Sequence, residues 1–327
     1  MGRSEAVTEW LLDESQPPVR YLALRELLGK GGGDSDVKEA YGAIPERGWA
    51  REILDLRGED GMWGGGSLYW PKYRAANWML LILSDLGMER DSAVIDAACR
   101  TWMDKYSAQD GGFAASSRGG AKHGHLCITG NTARALVKFG YEEHPSVRSA
   151  FEWFVKYQSE LGGWSCFDFG TPRKGRNLDS WEPLSAFAAY PRQKWNRGMK
   201  LAVERGAEFF LERELHVQGK RYEPWYRFHY PNHYYYDVLV GLDLLTALGY
   251  GDDSRLSFAL SLLRKKRRRD GKWLMDSINP DPESPQGLWN VKHQNRAAVP
   301  FALEEAGKPS RMVTLTAMKV LRRIGEE

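Results

Sequence analysis

The chain has 327 residues, a formal net charge of +3 and 42% hydrophobic residues, enough for a large buried core, and its near-neutral charge argues against nucleic acid as a partner. Three cysteines, an odd number, argue against a disulfide framework and for a reducing compartment. With no signal peptide and no apolar run of membrane-span length, a cytoplasmic protein without stable membrane insertion is expected.

In chain order, Ala6 to Leu12 reads as a short helix. Pro17-Pro18 opens a second, Val19 to Leu28, stopped by Gly29. Proline suits a first helical turn, and glycine the left-handed stop. Lys30 to Asp36, with Gly31-Gly32-Gly33 at its centre, reads as a flexible link. From there one phrase returns five times: Asp60-Gly61-Met62-Trp63-Gly64, Gln109-Asp110-Gly111-Gly112-Phe113, Leu161-Gly162-Gly163-Trp164, Gly219-Lys220-Arg221-Tyr222 and Asp270-Gly271-Lys272-Trp273. The closing aromatics at 63, 113, 164, 222 and 273 are 50, 51, 58 and 51 residues apart, a period that marks a repeat architecture.

Before each phrase lies an amphipathic run with an apolar pair: Ile53-Leu54, Trp102-Met103, Trp153-Phe154, Phe209-Phe210 and Leu262-Leu263. After each come a polar loop and a second apolar-periodic run: Ala75 to Gly87, Thr132 to Gly140, Pro183 to Pro191, Tyr236 to Gly249 and Thr314 to Gly325. The unit is therefore helix, Gly-aromatic turn, loop, helix. Asp252-Asp253 reads as a helix cap, and the basic run Arg264 to Arg269 as the solvated end of an outer helix, where cations complement the dipole. Six helix pairs and no strand pattern predict an all-α chain, one (α/α) toroid domain over 1–327 with one helix of each pair facing inward. An open solenoid is the alternative and would need polar capping repeats.

The apolar helix, the Gly-Gly-Trp/Phe turn and the helix ending in Leu-Gly, clearest over Trp102 to Tyr141 and Trp153 to Trp164, resemble the α/α toroids of squalene–hopene cyclases and protein prenyltransferase β-subunits. Gln109 and Gln158, a few residues before Phe113 and Trp164, are similar to the glutamine–tryptophan motif of the cyclases. The resemblance covers most of the chain and implies the toroid fold and an isoprenoid-type substrate. The chain departs from the family in its activity motifs: it has no Asp-x-Asp-Asp and no Asp-Asp-x-x-Asp. The prenyltransferase Asp-x-Cys is also absent, for Asp237 lacks the cysteine and Cys127 the aspartate. A fold alone does not set the chemistry.

In a ring of this kind the inner-helix N-termini bring free N–H groups and dipoles to one mouth, so polar residues there are the candidates. Trp70, Tyr73 and Arg74 are expected to bind substrate, Arg74 with Lys72 through an anionic group. In an extended His123-Gly124-His125-Leu126-Cys127, alternation would place His123, His125 and Cys127 on one face, the residue types of a zinc site that lacks its fourth ligand. No cofactor is favoured. Without metal, His125 and Cys127 are catalytic candidates and Asn131 a binding one; the bland alternative is a loop-packing cluster. Asp179 and Glu182 have capping-box spacing around Trp181, a further binding candidate.

The run Phe228-His229-Tyr230-Pro231-Asn232-His233-Tyr234-Tyr235-Tyr236-Asp237 is the densest in titratable aromatics. On a helix His233 and Asp237, four apart, would share a face, the carboxylate holding the histidine's tautomer for general base work, with Tyr234 catalytic and Tyr230 binding. An aromatic helix start packed on its neighbours is the plain alternative. Finally, the connector over 270–311 breaks the repeat and reads as a lid, with His293 or Arg296 reaching the site.

Thirteen tryptophans and fifteen tyrosines exceed what the turns use, and the rest suit an aromatic-lined cavity. The leading expectation is acid–base chemistry on an isoprenoid or other mainly apolar small molecule. Enzymes resembling linalool dehydratase-isomerase place tyrosine, histidine, aspartate and cysteine at such a mouth. A second reading is a polysaccharide lyase or glycan-active enzyme, with Asn131, His233, Tyr235 and Arg296 as its working groups. The third is a non-catalytic helical-repeat binding protein.

Overall fold

The computed structural model describes residues 3–65, 68–115, 120–165, 181–217, 222–233, 235–278 and 302–327. The described residues are helical, with two isolated β-bridges and no strand, as the periodicity predicts. They form two compact units. The first comprises Met1–Met88, Glu223–Asn232 and Asp237–Glu327, the second Glu89–Tyr222 and His233–Tyr236.

The first unit holds α1 (Arg3–Leu11), α2 (Pro17–Leu22) with a π-helical turn at Ala23–Leu27, α3 (Ser35–Ala43), α4 (Gly48–Asp55) and α5 (Ala76–Asp85). It also holds α11 (Val238–Leu248), α12 (Ser257–Lys266) and α13 (Arg311–Arg323). Helix α13 packs on α11 and on the π turn, joining the two ends of the chain. Lys319 meets Glu26 at 2.8 Å, Arg323 meets Asp243 at 2.7 Å, and Arg311 donates to the Trp10 carbonyl at 2.6 Å. The basic run is paired: Arg264 with Glu326, Lys266 with Asp276 and Arg267 with Glu327. Asp253 caps a short 3₁₀ turn, Ser254–Leu256, by accepting from Arg255 N.

The second unit holds α6 (Ala93–Tyr106), α7 (Leu126–Lys138), α8 (Pro145–Tyr157), α9 (Glu182–Ala189) and α10 (Arg197–Leu211). Helix α7 is buried nearly all round, whereas α8 buries Val147, Ala150, Phe151, Trp153 and Phe154 and turns Arg148 and Glu152 to solvent. Helices α7 and α9 pack on each other, with α8 against α7 and α10 against both α8 and α9. Gly130 makes the α7–α9 contact possible, for a Cβ there would lie 2.4 Å from Glu182 Cβ.

Four of the five echoed phrases share one backbone geometry. The N–H groups of Gly58, Ala108, Ser159 and Arg268 donate to the carbonyl four residues on, at 2.8, 2.7, 2.8 and 3.0 Å. The third residue after each is a glycine in the left-handed region, Gly61, Gly111, Gly162 and Gly271, where a side chain would be strained. Two residues further, Trp63, Phe113, Trp164 and Trp273 are buried. The three indoles donate to the carbonyl ten residues back, Trp63 to Ile53 at 2.7 Å, Trp164 to Phe154 at 3.0 Å and Trp273 to Leu263 at 2.8 Å. Each aromatic thus plugs the end of the helix before it, and the three tryptophans also satisfy a terminal carbonyl.

The fifth echo does not belong to this set. Tyr222 is 54% exposed and plugs nothing. In the other four phrases the aromatic stands two residues after the left-handed glycine; Tyr222 stands three after Gly219.

Candidate functional site

The start of α11 is the most tightly organised polar site among the described residues. Asp237 is its N-cap, and its Oδ1 accepts from Val240 N at 2.9 Å. Its Oδ2 accepts from His229 N at 3.1 Å and lies 2.7 Å from His229 Nδ1. Both side chains are shut off from solvent, His229 at 0% and Asp237 at 1% exposure. The Arg227 carbonyl also lies 3.3 Å from His229 Nδ1. Nδ1 therefore faces two oxygen acceptors and carries a proton, which leaves Nε2 as the ring nitrogen for acid–base work.

The segment bearing His229 is pinned from its other side. Phe228 N donates to Asp276 Oδ2 at 2.7 Å, and Asp276 N returns a bond to the Phe228 carbonyl at 2.8 Å. Lys266 meets the same Asp276 oxygen at 2.7 Å and lies 5.0 Å from the Phe228 ring centre. Asn232 Nδ2 donates to the His229 carbonyl at 3.3 Å. Tyr230, a predicted binding residue, is buried beside the cis Tyr230–Pro231 bond.

Asp237 is thus placed as an ordered carboxylate beside histidine, but the partner differs from the expected one. The i, i+4 face with His233 does not form, because the helix begins only at Val238 and the residues before its cap are not helical. His233 is buried in a turn with φ 51° and belongs to the second unit, as do Tyr235 and Tyr236. Tyr236 donates to the Leu215 carbonyl at 3.0 Å. Tyr234 lies outside the described residues.

The zinc arrangement also does not form. Among the described residues no three His, Cys, Asp or Glu side chains gather as a metal requires. The reason is local: α7 starts at Leu126, so Cys127 sits on a helical turn and the alternation of an extended strand is lost. His125 is the exposed N-cap residue, its N–H bound to the Phe113 carbonyl at 2.8 Å and its carbonyl to Thr129 N at 2.7 Å. Ser310, the N-cap of α13, binds the Trp273 carbonyl in the same way at 2.9 Å, so this backbone role belongs to the repeat. Exposed His123 lies 3.4 Å from Asp110 Oδ2. Burial pushes the Asp110 carboxyl up, but the nearby Trp153 indole N–H and the hydrogen bonds from Gly112 and Gly124 N–H outweigh it and hold it below the usual range. Cys127 is half-buried and outside any disulfide; Cys99 is buried and its thiol pushed far up by desolvation.

The other predicted binding residues are dispersed. Trp70 is 45% exposed and stacks edge-on to Tyr69; Arg74 is exposed; Tyr73 is buried with its ring 5.0 Å from Trp78. Trp181 is the buried N-cap residue of α9, covered by the Arg134 guanidinium at 5.3 Å. Glu182 is the first residue of that helix instead of its third; Asp179 lies outside the described residues. Asn131 is buried on α7. His293 and Arg296 also lie outside the described residues, as do 279–301 of the connector. The connector's two ends meet, Met275 N donating to the Lys308 carbonyl at 3.0 Å and Gly307 N to the Met275 carbonyl at 2.7 Å.

No protein-family model matches the chain, and no curated protein sequence matches it. It is similar to solved structures of the type II terpene cyclase MstE from Scytonema. A variant in complex with geranylgeranyl dihydroxybenzoate shares 17% identity over 95% of this chain and 87% of that one, with a TM-score of 0.46. A second variant, with merosterolic acid A, shares 16% over 95% and 86%, with a TM-score of 0.45. The apo enzyme shares 17% over 95% and 87%, with a TM-score of 0.44.

Proposed function

We propose that the chain is a terpenoid-cyclase-like enzyme that moves a proton on an isoprenoid or other mainly apolar small molecule, with His229 as the acid–base group and Asp237 as the carboxylate that orients it. The observation that carries this reading is the 2.7 Å contact between two side chains that water does not reach. A carboxylate on Nδ1 fixes the tautomer and turns Nε2 into the group that gives or takes the proton. Asp237 is itself held by the Val240 N–H of α11, so the pair is ordered before any substrate arrives. The sequence resemblance to isoprenoid-handling toroids supports the substrate class. An acid of the Asp-x-Asp-Asp type has no counterpart here, and the His229–Asp237 pair would fill that role.

The test is proton exchange. Isoprenoid hydrocarbons, alcohols and diphosphates are incubated with the protein in heavy water, and deuterium incorporation and product formation are read by mass spectrometry. Turnover in the wild type should fall about 100-fold or more in His229→Gln and Asp237→Asn with the helical signal intact. Wild-type turnover in both variants, or no exchange on any substrate, would overturn the reading.

A further inference from the structure

In the second unit, α7 carries polar groups that its own packing leaves unsatisfied. Asn131 is 2% exposed and Thr132 0%, and neither Asn131 Oδ1 nor Thr132 Oγ1 has a hydrogen-bond partner among the described residues. Thr129, on the same helix, is satisfied: its Oγ1 accepts from Phe113 N at 2.9 Å. An orphaned buried polar atom destabilises the fold, and an apolar side chain of the same shape would remove that cost. Where native proteins keep such groups, they pair with a buried water, an ion or a ligand, or serve a catalytic role.

We infer that α7 carries a buried site, centred on Asn131 and Thr132, that takes the hydroxyl group of an otherwise apolar small molecule. A hydroxyl both donates and accepts, so it can serve the Asn131 amide in either orientation or the Thr132 hydroxyl. Ile128, Ala135 and Leu136, one turn away on the same helix, are buried and apolar, which suits an apolar body for the rest of the ligand. The apolar body does not require the acid–base reading; only the choice of an isoprenoid probe rests on it.

The test uses Asn131→Leu and Thr132→Val, each near-isosteric and each removing an orphan. Melting of the protein alone is measured first, then melting with farnesol, with its hydrocarbon counterpart farnesene, and with 1-dodecanol. Without ligand each variant should melt higher than the wild type, by about 2 °C. Farnesol should stabilise the wild type and farnesene should not, and each variant should lose affinity for the alcohol about tenfold or more. If 1-dodecanol binds in this way and farnesol does not, the hydroxyl site stands and the isoprenoid reading fails. Lower melting of both variants without ligand would mean that the two groups serve the fold, and it would overturn the site. So would equal effects of farnesol and farnesene, or no stabilisation by either alcohol.

Discussion

The start of α11 and the middle of α7 are both buried and both polar, and they stand at opposite limits of satisfaction. At α11 the Asp237 carboxylate receives bonds from Val240 N, His229 N and His229 Nδ1, while the His229 segment is anchored by Asp276. At α7 the Asn131 and Thr132 oxygens have no partner among the described residues. A saturated cluster holds one geometry, which suits a group that must present a proton at a fixed place. An orphaned pair costs stability, which suits a group whose partner is a ligand. Variants at the two places should therefore move stability in opposite directions.

The largest effect is expected at Asp237. Its truncation to alanine takes the nearer acceptor from buried His229 and uncaps α11, so Asp237→Ala should lose about 3–5 kcal/mol in urea unfolding. Asp237→Asn should lose less, because the amide oxygen can still accept from Val240 N. A loss under about 1 kcal/mol in the alanine variant would show that the pair contributes little, and the contrast with α7 would fall.

The repeat turns show how much of this was legible in the sequence. Glycine two residues before a buried aromatic is a local signature, and Trp63, Phe113, Trp164 and Trp273 all occupy the same place. The helix pairs on either side follow from periodicity, which reports burial directly. Tyr222 matched the letters but not the spacing, and it is exposed. Trp164→Ala should accordingly cost about 3–5 kcal/mol and Tyr222→Ala under about 0.5 kcal/mol by the same measurement. The site was only half legible. Asp237 was readable as a helix-start carboxylate, but helical spacing named His233 as its partner, and that spacing does not apply to residues before an N-cap. His229 lay in the same aromatic run, eight residues before Asp237, and only the fold of the intervening turn brings it there. Asp276 and Lys266 come from other stretches of chain, so no local pattern could have tied them to His229.

Gly130 offers an intermediate effect on the α7 side of the comparison. Alanine in a helix interior gains about 1 kcal/mol over glycine, but here its methyl would press on Glu182 at the α7–α9 contact. Overpacking of this kind should outweigh that gain, so Gly130→Ala should lose about 1–2 kcal/mol net. A stabilised Gly130→Ala would mean that α7 and α9 can move apart, and that the orphaned groups on the next two residues are not held in place.

The smallest effect should come from a third helix start, that of α13. Ser310 caps it, and Glu304 binds Ser310 Oγ at 2.6 Å and Arg311 N at 2.6 Å. Burial raises the Glu304 carboxyl above its ordinary value of 4.5, and the hydrogen bonds only partly offset this. Between that ordinary value and the raised one the folded state binds more protons than the unfolded, so stability must fall as pH rises through the window. Glu304→Gln keeps an acceptor for Arg311 N and cannot ionise. Its unfolding free energy, measured against pH from 4 upward, should lack that fall, and the difference from wild type should vanish towards the acid end. The same slope in both proteins would mean that Glu304 is as well solvated when folded as when unfolded. A difference that grew in the opposite direction would mean that its hydrogen bonds outweigh its burial, making the α13 start a second saturated carboxylate like Asp237.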